Sequence, residues 1–266
     1  MLTLILVTIL LIITGGFSVH KRWLTLAGAF TMVIMGDVIE YAFHVAGIVA
    51  IFLFFILSNL ITLVIQLKQQ PIKFTSEPRT LSQVLANGGG PMLAALGQIV
   101  FPSLFWLGFY LVSIAEATAD TWASEVGSKL GRAPFHLRLN RRVPKGLSGA
   151  MTRIGSLAGF IGSLTIALYS LLLLEHWSLK NVLIVVWMIT LFGWLGQFID
   201  TILGAYVQAR YRCEVCATYT DKRVHCCGQP TRLAGGWRWM TNSVVNGLSS
   251  LFAGLIGGSA FLLWIN

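Results

Sequence analysis

The sequence predicts an all-α polytopic membrane protein of about eight transmembrane helices, seven if one long stretch is a single kinked helix, with a small cytoplasmic Cys-rich insert. Three observations carry this reading. Of 266 residues 56% are hydrophobic and only 11% charged, under half of the ~25% charge of a soluble domain. Apolar runs of the ~20 residues that a spanning helix needs recur along the chain. The basic residues, 19 against 10 acids, gather in a few loops. Together these exclude a disordered chain, a nucleic-acid-binding protein and an ordinary cytosolic one. The net charge of +9 then reads as the positive-inside rule.

The elements follow in order. Residues 2–19, 24–41 and 44–67 are three N-terminal spans, within a segment 1–80. The first is not read as a cleaved signal peptide, because Lys21 and Arg22 follow the apolar run and no basic residue precedes it. Residues 147–174, 182–207 and 241–265 form three later spans. The stretch 81–126 is too long for one helix and contains Gly88-Gly89-Gly90-Pro91 and Pro102. Two helices there, 82–100 and 103–126, put both termini outside and leave all the Lys and Arg except Lys180 at cytoplasmic ends. One helix would put the basic loops 68–80 and 127–147 on opposite sides, so eight spans are expected. The chain reads as one membrane domain, 1–266, with a core of 81–209 and 237–266 and an insert at 210–236.

Ionisable residues inside spans are costly and mark sites by default. Asp37 and Glu40 sit near the outer edge, whereas Glu116, Asp120, Glu125 and Asp200 belong to the inner half. Glu116, Asp120 and Ser124 recur at i,i+4 and so share a helix face, with Thr121 and Glu125 in a neighbouring row. Asn87, Ser148, Thr152, Arg153, Asn242 and Asn246 fall in the same layer, the last two also at i,i+4. Single Ser, Thr or Asn residues often only hydrogen-bond helices together, but three or four acids would repel without cations. Carboxylates beside amide and hydroxyl oxygens suit a hard divalent ion such as Mg²⁺. The basic, Gly-bearing loop Arg138–Gly149, reading RLNRRVPKGLSG, serves topology, and its cations and N–H groups also suit phosphates. Acids for a metal beside cations for phosphates are the parts of a phosphoryl-transfer site. No Walker, GxSxG or HExxH motif occurs, and His20, His44, His136 and His176 have no evident partners.

All four cysteines lie within the insert, as Cys213-x2-Cys216 and then His225-Cys226-Cys227. This spacing resembles a structural zinc knuckle. The ligands would be Cys213, Cys216, His225 and one of Cys226 or Cys227, with Cys226 in the first-choice set. A disulfide is disfavoured on the reducing cytoplasmic side. Gly155-x3-Gly159 and Ser250-x3-Gly254-x3-Gly258 are small-residue patterns for close helix packing.

The run Ala115–Gly127, AEATADTWASEVG, resembles the signature of the phytyl-phosphate kinase family, which also includes transmembrane protein 19. Further matching segments are Val84–Gly89, Val143–Gly149, Gly196–Gly204, the Cys213/Cys216/His225/Cys226 segment, and Gly236–Asn242 with Asn246. The Asp-Thr-x-Ala-Ser run is also similar to that of CTP-dependent dolichol and phytol kinases. Two departures stand out: Lys145-Gly-Leu-Ser replaces Pro/Glu-Gly-Thr types, and Thr241-Asn242 replaces Asn-Asp.

The resemblance implies an integral membrane isoprenyl-phosphate kinase with its active site facing the cytoplasm. It would pass a phosphoryl group from a nucleoside triphosphate, such as CTP, to phytyl phosphate or a similar lipid. Its partners are then a membrane lipid and a nucleotide, with no nucleic acid. In this reading Asp120 and Asp200 hold Mg²⁺, with Glu125 and Asn246 as further ligands. Lys145 and Arg142 clamp phosphates, Asn242 positions one substrate, and Asn87, Thr121, Ser124, Gly146, Ser148 and Arg153 complete the binding surface. A cation or lipid transporter, and a membrane cytidylyltransferase or polyprenol kinase, are the competing classes.

Overall fold

A computed structural model describes residues 2–68, 78–173, 177–224 and 227–265. Among them are seven helices: α1 (Leu2–His20), α2 (Leu26–Lys68), α3 (Leu81–Val100), α4 (Leu104–Leu130), α5 (Arg153–Tyr169), α6 (Leu179–Tyr206) and α7 (Asn242–Trp264). A straight α2 of 43 residues would be about 64 Å long, twice the thickness of a bilayer core. It instead reverses at His44, where φ is 57° and ψ −165°. Met32 and Gly36 of its first arm share an apolar cavity with Ile51 and Phe55 of its second. Seven helices therefore make eight arms. The stretch 81–126 divides as expected, with the break at Phe101–Ser103 around Pro102. Side chains cap the helix starts: Thr152 Oγ accepts from Gly155 N, Ser178 Oγ from Asn181 N and Thr241 Oγ from Val244 N.

Among the described residues five helices are long and apolar enough to cross a membrane: Leu2–His20, Leu26–Ile65, Arg153–Leu172, Leu179–Tyr206 and Asn242–Trp264. Helix α4 is polar for a physical reason. It stands at the centre, packed against α2, α3, α5, α6 and α7. Gly108 to Ala119 are buried without a break, so no face of that segment meets lipid. Close approach makes this enclosure possible. A Cβ on Gly155 or Gly159 would meet the carbonyl oxygens of Ala123 or Ala119 at 2.6 or 2.9 Å. A Cβ on Gly254 or Gly258 would likewise strike Phe109 or Phe105. The small-residue patterns are thus the contact stripes of α5 and α7 on α4.

The two ends of the bundle differ in charge. Tyr110 and Tyr169 donate to the carbonyls of Gly47 and Ala46, both 2.7 Å, beside the α2 reversal at one end. Lys180 opens α6 at that same end. The other end carries Lys21, Arg22, Arg79 and the basic connections after α4 and α6. Its connections are tied together: Thr25 N donates to Arg79 O at 3.0 Å, Lys145 Nζ to Lys129 O at 3.3 Å and Arg138 to Tyr206 O at 3.4 Å. Two small antiparallel sheets lie there. The first has strand order β2–β1–β3 (Arg141–Arg142, Phe135–His136, Ala150–Met151). The second, in the insert, has order β5–β4–β6 (Tyr219–Thr220, Arg210–Cys213, Thr231–Gly235).

Candidate functional site

Helix α4 delivers its acids to the basic end. Glu116 is 1% exposed and accepts a 2.7 Å hydrogen bond from Ser249 Oγ of α7. One turn on, Asp120 Oδ2 accepts 3.2 Å from Asn246 Nδ2. The i,i+4 row of α4 is therefore matched by an amide and a hydroxyl on α7. Asp200 of α6 completes the group within electrostatic reach of both acids. Its Oδ2 is buried without a hydrogen-bond partner, as are Asn246 Oδ1 and Gln197 Nε2.

Asp120 and Asp200 border a cavity of about 180 Å³ between α4, α5, α6 and the loop before α5. Asp120 and Ser124 come from α4, Gln197, Asp200 and Thr201 from α6, and Lys145, Gly146 and Ser148 from the loop. The loop's shape depends on two glycines in the left-handed region, Gly146 (φ 89°) and Gly149 (φ 78°). At Gly149 there is no alternative to glycine, because a Cβ would lie 2.3 Å from Ala205 Cα. This approach fixes the loop against α6.

The structure thus gathers Asp120, Ser124, Lys145, Gly146, Ser148 and Asp200 on one wall, with Asn246 attached through Asp120. The other sequence candidates lie off it. Glu125 pairs with Lys129 at 2.6 Å and faces Arg79, whose pKa burial lowers and Glu125 raises. Thr121 is in the same row as Glu125. Asn87 lines the separate apolar cavity with Arg79 and Gln83. Arg142 and Arg153 are exposed, and Asn242 is exposed at the start of α7. His225 and Cys226 lie outside the described residues. The thiol brought to Cys213 and Cys216 is that of Cys227, and the three sulphurs lie within 4.8 Å of one another.

Sequence reasoning missed Gln197, Thr201 and Asp221. The first two sit in the Gly196–Gly204 segment, whose motif was the available signal. Asp221 carried none. It accepts from Ser148 N at 3.3 Å and makes a very short hydrogen bond to Ser148 Oγ. Burial raises its pKa, against the pull of Ser148 and Arg210.

The profile of the family described as integral membrane protein DUF92 matches residues 9–254, most of the chain. This chain belongs to the DUF92 family. Its relatives include an uncharacterised membrane protein, MJ0933, of Methanocaldococcus jannaschii. The two are 33% identical over 205 residues, 77% of this chain and 83% of that protein. Another is sll0875 of Synechocystis, 26% identical over 245 residues, 89% of this chain and 82% of that one. The chain also resembles the chloroplastic protein VTE6 of Arabidopsis thaliana, 27% identical over 168 residues, 59% of this chain and half of that protein. No solved structure matches. The DUF92 match covers α4, the loop and α6 together, so the whole cavity lies within the family's shared part.

Proposed function

We propose that this DUF92 protein is an isoprenyl-phosphate kinase. It transfers the terminal phosphoryl group of a nucleoside triphosphate, in the first instance CTP, to a prenyl monophosphate such as phytyl phosphate. An oxygen of the acceptor phosphate attacks the terminal phosphorus as its bond to the nucleoside diphosphate breaks. The products are the prenyl diphosphate and CDP. One observation carries the reading: two carboxylates from different helices, Asp120 and Asp200, share a cavity with Lys145 and a glycine-shaped loop at the charged end of a membrane bundle.

The donor set fits magnesium. The carboxylates of Asp120 and Asp200 and the hydroxyls of Ser124 and Thr201 are hard oxygen donors, and Asp200 Oδ2 is a buried oxygen with no other partner. Magnesium held there would neutralise charge on the transferring phosphates. The chain's own residues do the rest. Lys145 and the backbone N–H groups of Gly146 and Leu147 bind phosphate oxygens. Asn246 orients Asp120 from behind, and Ser249 holds Glu116. No strong general base is needed, because a phosphate monoester is largely dianionic at pH 7 (second pKa about 6). The work is holding two anions in line.

The setting suits an amphiphile. Leu157 and Ile202 are exposed beside Ser156 and Thr201 of the cavity wall, so a prenyl chain can leave between α5 and α6 into lipid. The basic connections share the cavity's end of the bundle, which the positive-inside rule assigns to the cytoplasm, where nucleotide is available.

The test is purified protein with CTP, Mg²⁺ and radiolabelled phytyl phosphate. Prenyl diphosphate and CDP formed one for one is the expected result. Ion-gradient-dependent uptake without turnover would replace the reading by transport, and pyrophosphate release with a cytidylated lipid would make the protein a cytidylyltransferase.

A further inference from the structure

The insert between α6 and α7 reaches the cavity through Asp221. Asp221, in the turn after β5, accepts both the backbone N–H and the hydroxyl of Ser148. Gln208 Nε2 adds 2.7 Å to Ser148 Oγ and 3.4 Å to Asp221. Ser148 lines the cavity. Whatever fixes Asp221 therefore fixes the loop that carries Lys145.

The sheet that presents Asp221 cannot hold itself. Its strands have four, two and five residues. Tyr211 and Cys213 are its buried apolar side chains, while Val215, Tyr219, Val224 and Leu233 are exposed. So little apolar burial is far below what orders a small unit, which then needs a covalent or metal staple. The cysteines sit where a staple would act. Cys213 ends β4, which pairs with both β5 and β6. Cys216 is in the following turn, and Cys227 precedes β6. One disulfide would use two of three converging thiols and leave the third unused. A tetrahedral zinc ion, with sulphurs at about 2.3 Å, uses all three and keeps one position for a further donor. The 3.7 Å between the Cys213 and Cys227 sulphurs is close to the edge of such a tetrahedron. Cys216 N points at Cys213 Sγ at 3.5 Å, as an N–H that supports a thiolate would.

We propose that Cys213, Cys216 and Cys227 hold a zinc ion that braces the insert, and that the braced insert, through Asp221, positions the Gly146–Gly149 loop over the cavity. The zinc site stands apart from the kinase reading, and only the activity arm of the test rests on that reading. Asp221 is a positioning residue that acts through Ser148.

The experiment uses the full chain purified from zinc-supplemented cells. Metal analysis should give about one zinc per chain, and cobalt exchange should give thiolate-to-metal absorption. Stripping the metal with a chelator should speed hydrogen exchange in residues 145–150 by about tenfold or more, and zinc should reverse it. Asp221→Asn should keep its zinc, show the same faster exchange, and raise KM for nucleotide more than it lowers kcat. If Cys213→Ser does not accumulate, the chelation arm on the parent protein decides. A parent protein without zinc overturns the site. A zinc-bound protein whose loop exchange ignores both chelation and Asp221→Asn overturns the bracing. Zinc and bracing intact, with no kinase turnover, would count against the function reading alone.

Discussion

Asp120 and Glu125 lie five residues apart on α4, and their surroundings differ in every respect. Asp120 is held by Asn246 across a helix interface, shares its cavity with Asp200, and faces a glycine loop. Glu125 is one turn nearer the helix end, paired with Lys129 on its own helix and close to Arg79. Beside the first, Asp200 Oδ2 is buried without a hydrogen-bond partner among the described residues. The second already has its cations. Position in a polar row does not make an acid functional. The neighbours it is left with decide.

The comparison can be broken by substitutions, taken here from the largest expected effect. Asp200→Asn removes a carboxylate from the cavity and should lower turnover by about 10²–10³-fold, with the variant still extracted and eluting as the parent does. Lys145→Ala should cost about 10-fold or more in kcat/KM, the scale of a hydrogen bond to a charged group, seen mainly in KM for nucleotide. Ser249→Ala leaves buried Glu116 without its donor. It should destabilise the bundle by about 1–3 kcal/mol, measured as a lowered Tm in detergent. Glu125→Gln, on the other row, should change turnover less than threefold and stability by under about 1 kcal/mol, because its ion pair with Lys129 is a partly exposed i,i+4 pair.

Much of this architecture was legible because it is local. Apolar run length and the charge parity around Pro102 led to eight arms. The i,i+4 spacing of Glu116, Asp120 and Ser124 and of Asn242 and Asn246 marked polar faces. What periodicity cannot say is which neighbour covers a face. It put Thr121 and Glu125 in the row next to Asp120, but Glu125 pairs with Lys129 and lies near Arg79. It counted Arg142 through the basic loop and Arg153 and Asn242 through the polar layer, and these three are exposed and do not line the cavity. Asp221 meets Ser148 across 73 residues, and no local pattern encodes such a contact. The Cys213-x2-Cys216 spacing was legible, but that the Cys227 sulphur lies within 4.8 Å of both is visible only in the fold of β4 and β6.

The most direct measurement is CTP-dependent formation of phytyl diphosphate by the parent, Asp120→Asn and Glu125→Gln proteins, side by side in one lipid preparation. The account predicts turnover in the parent, a loss of about 10²-fold or more in Asp120→Asn, and near-parent activity in Glu125→Gln. Full activity in Asp120→Asn, or a loss confined to Glu125→Gln, would contradict it.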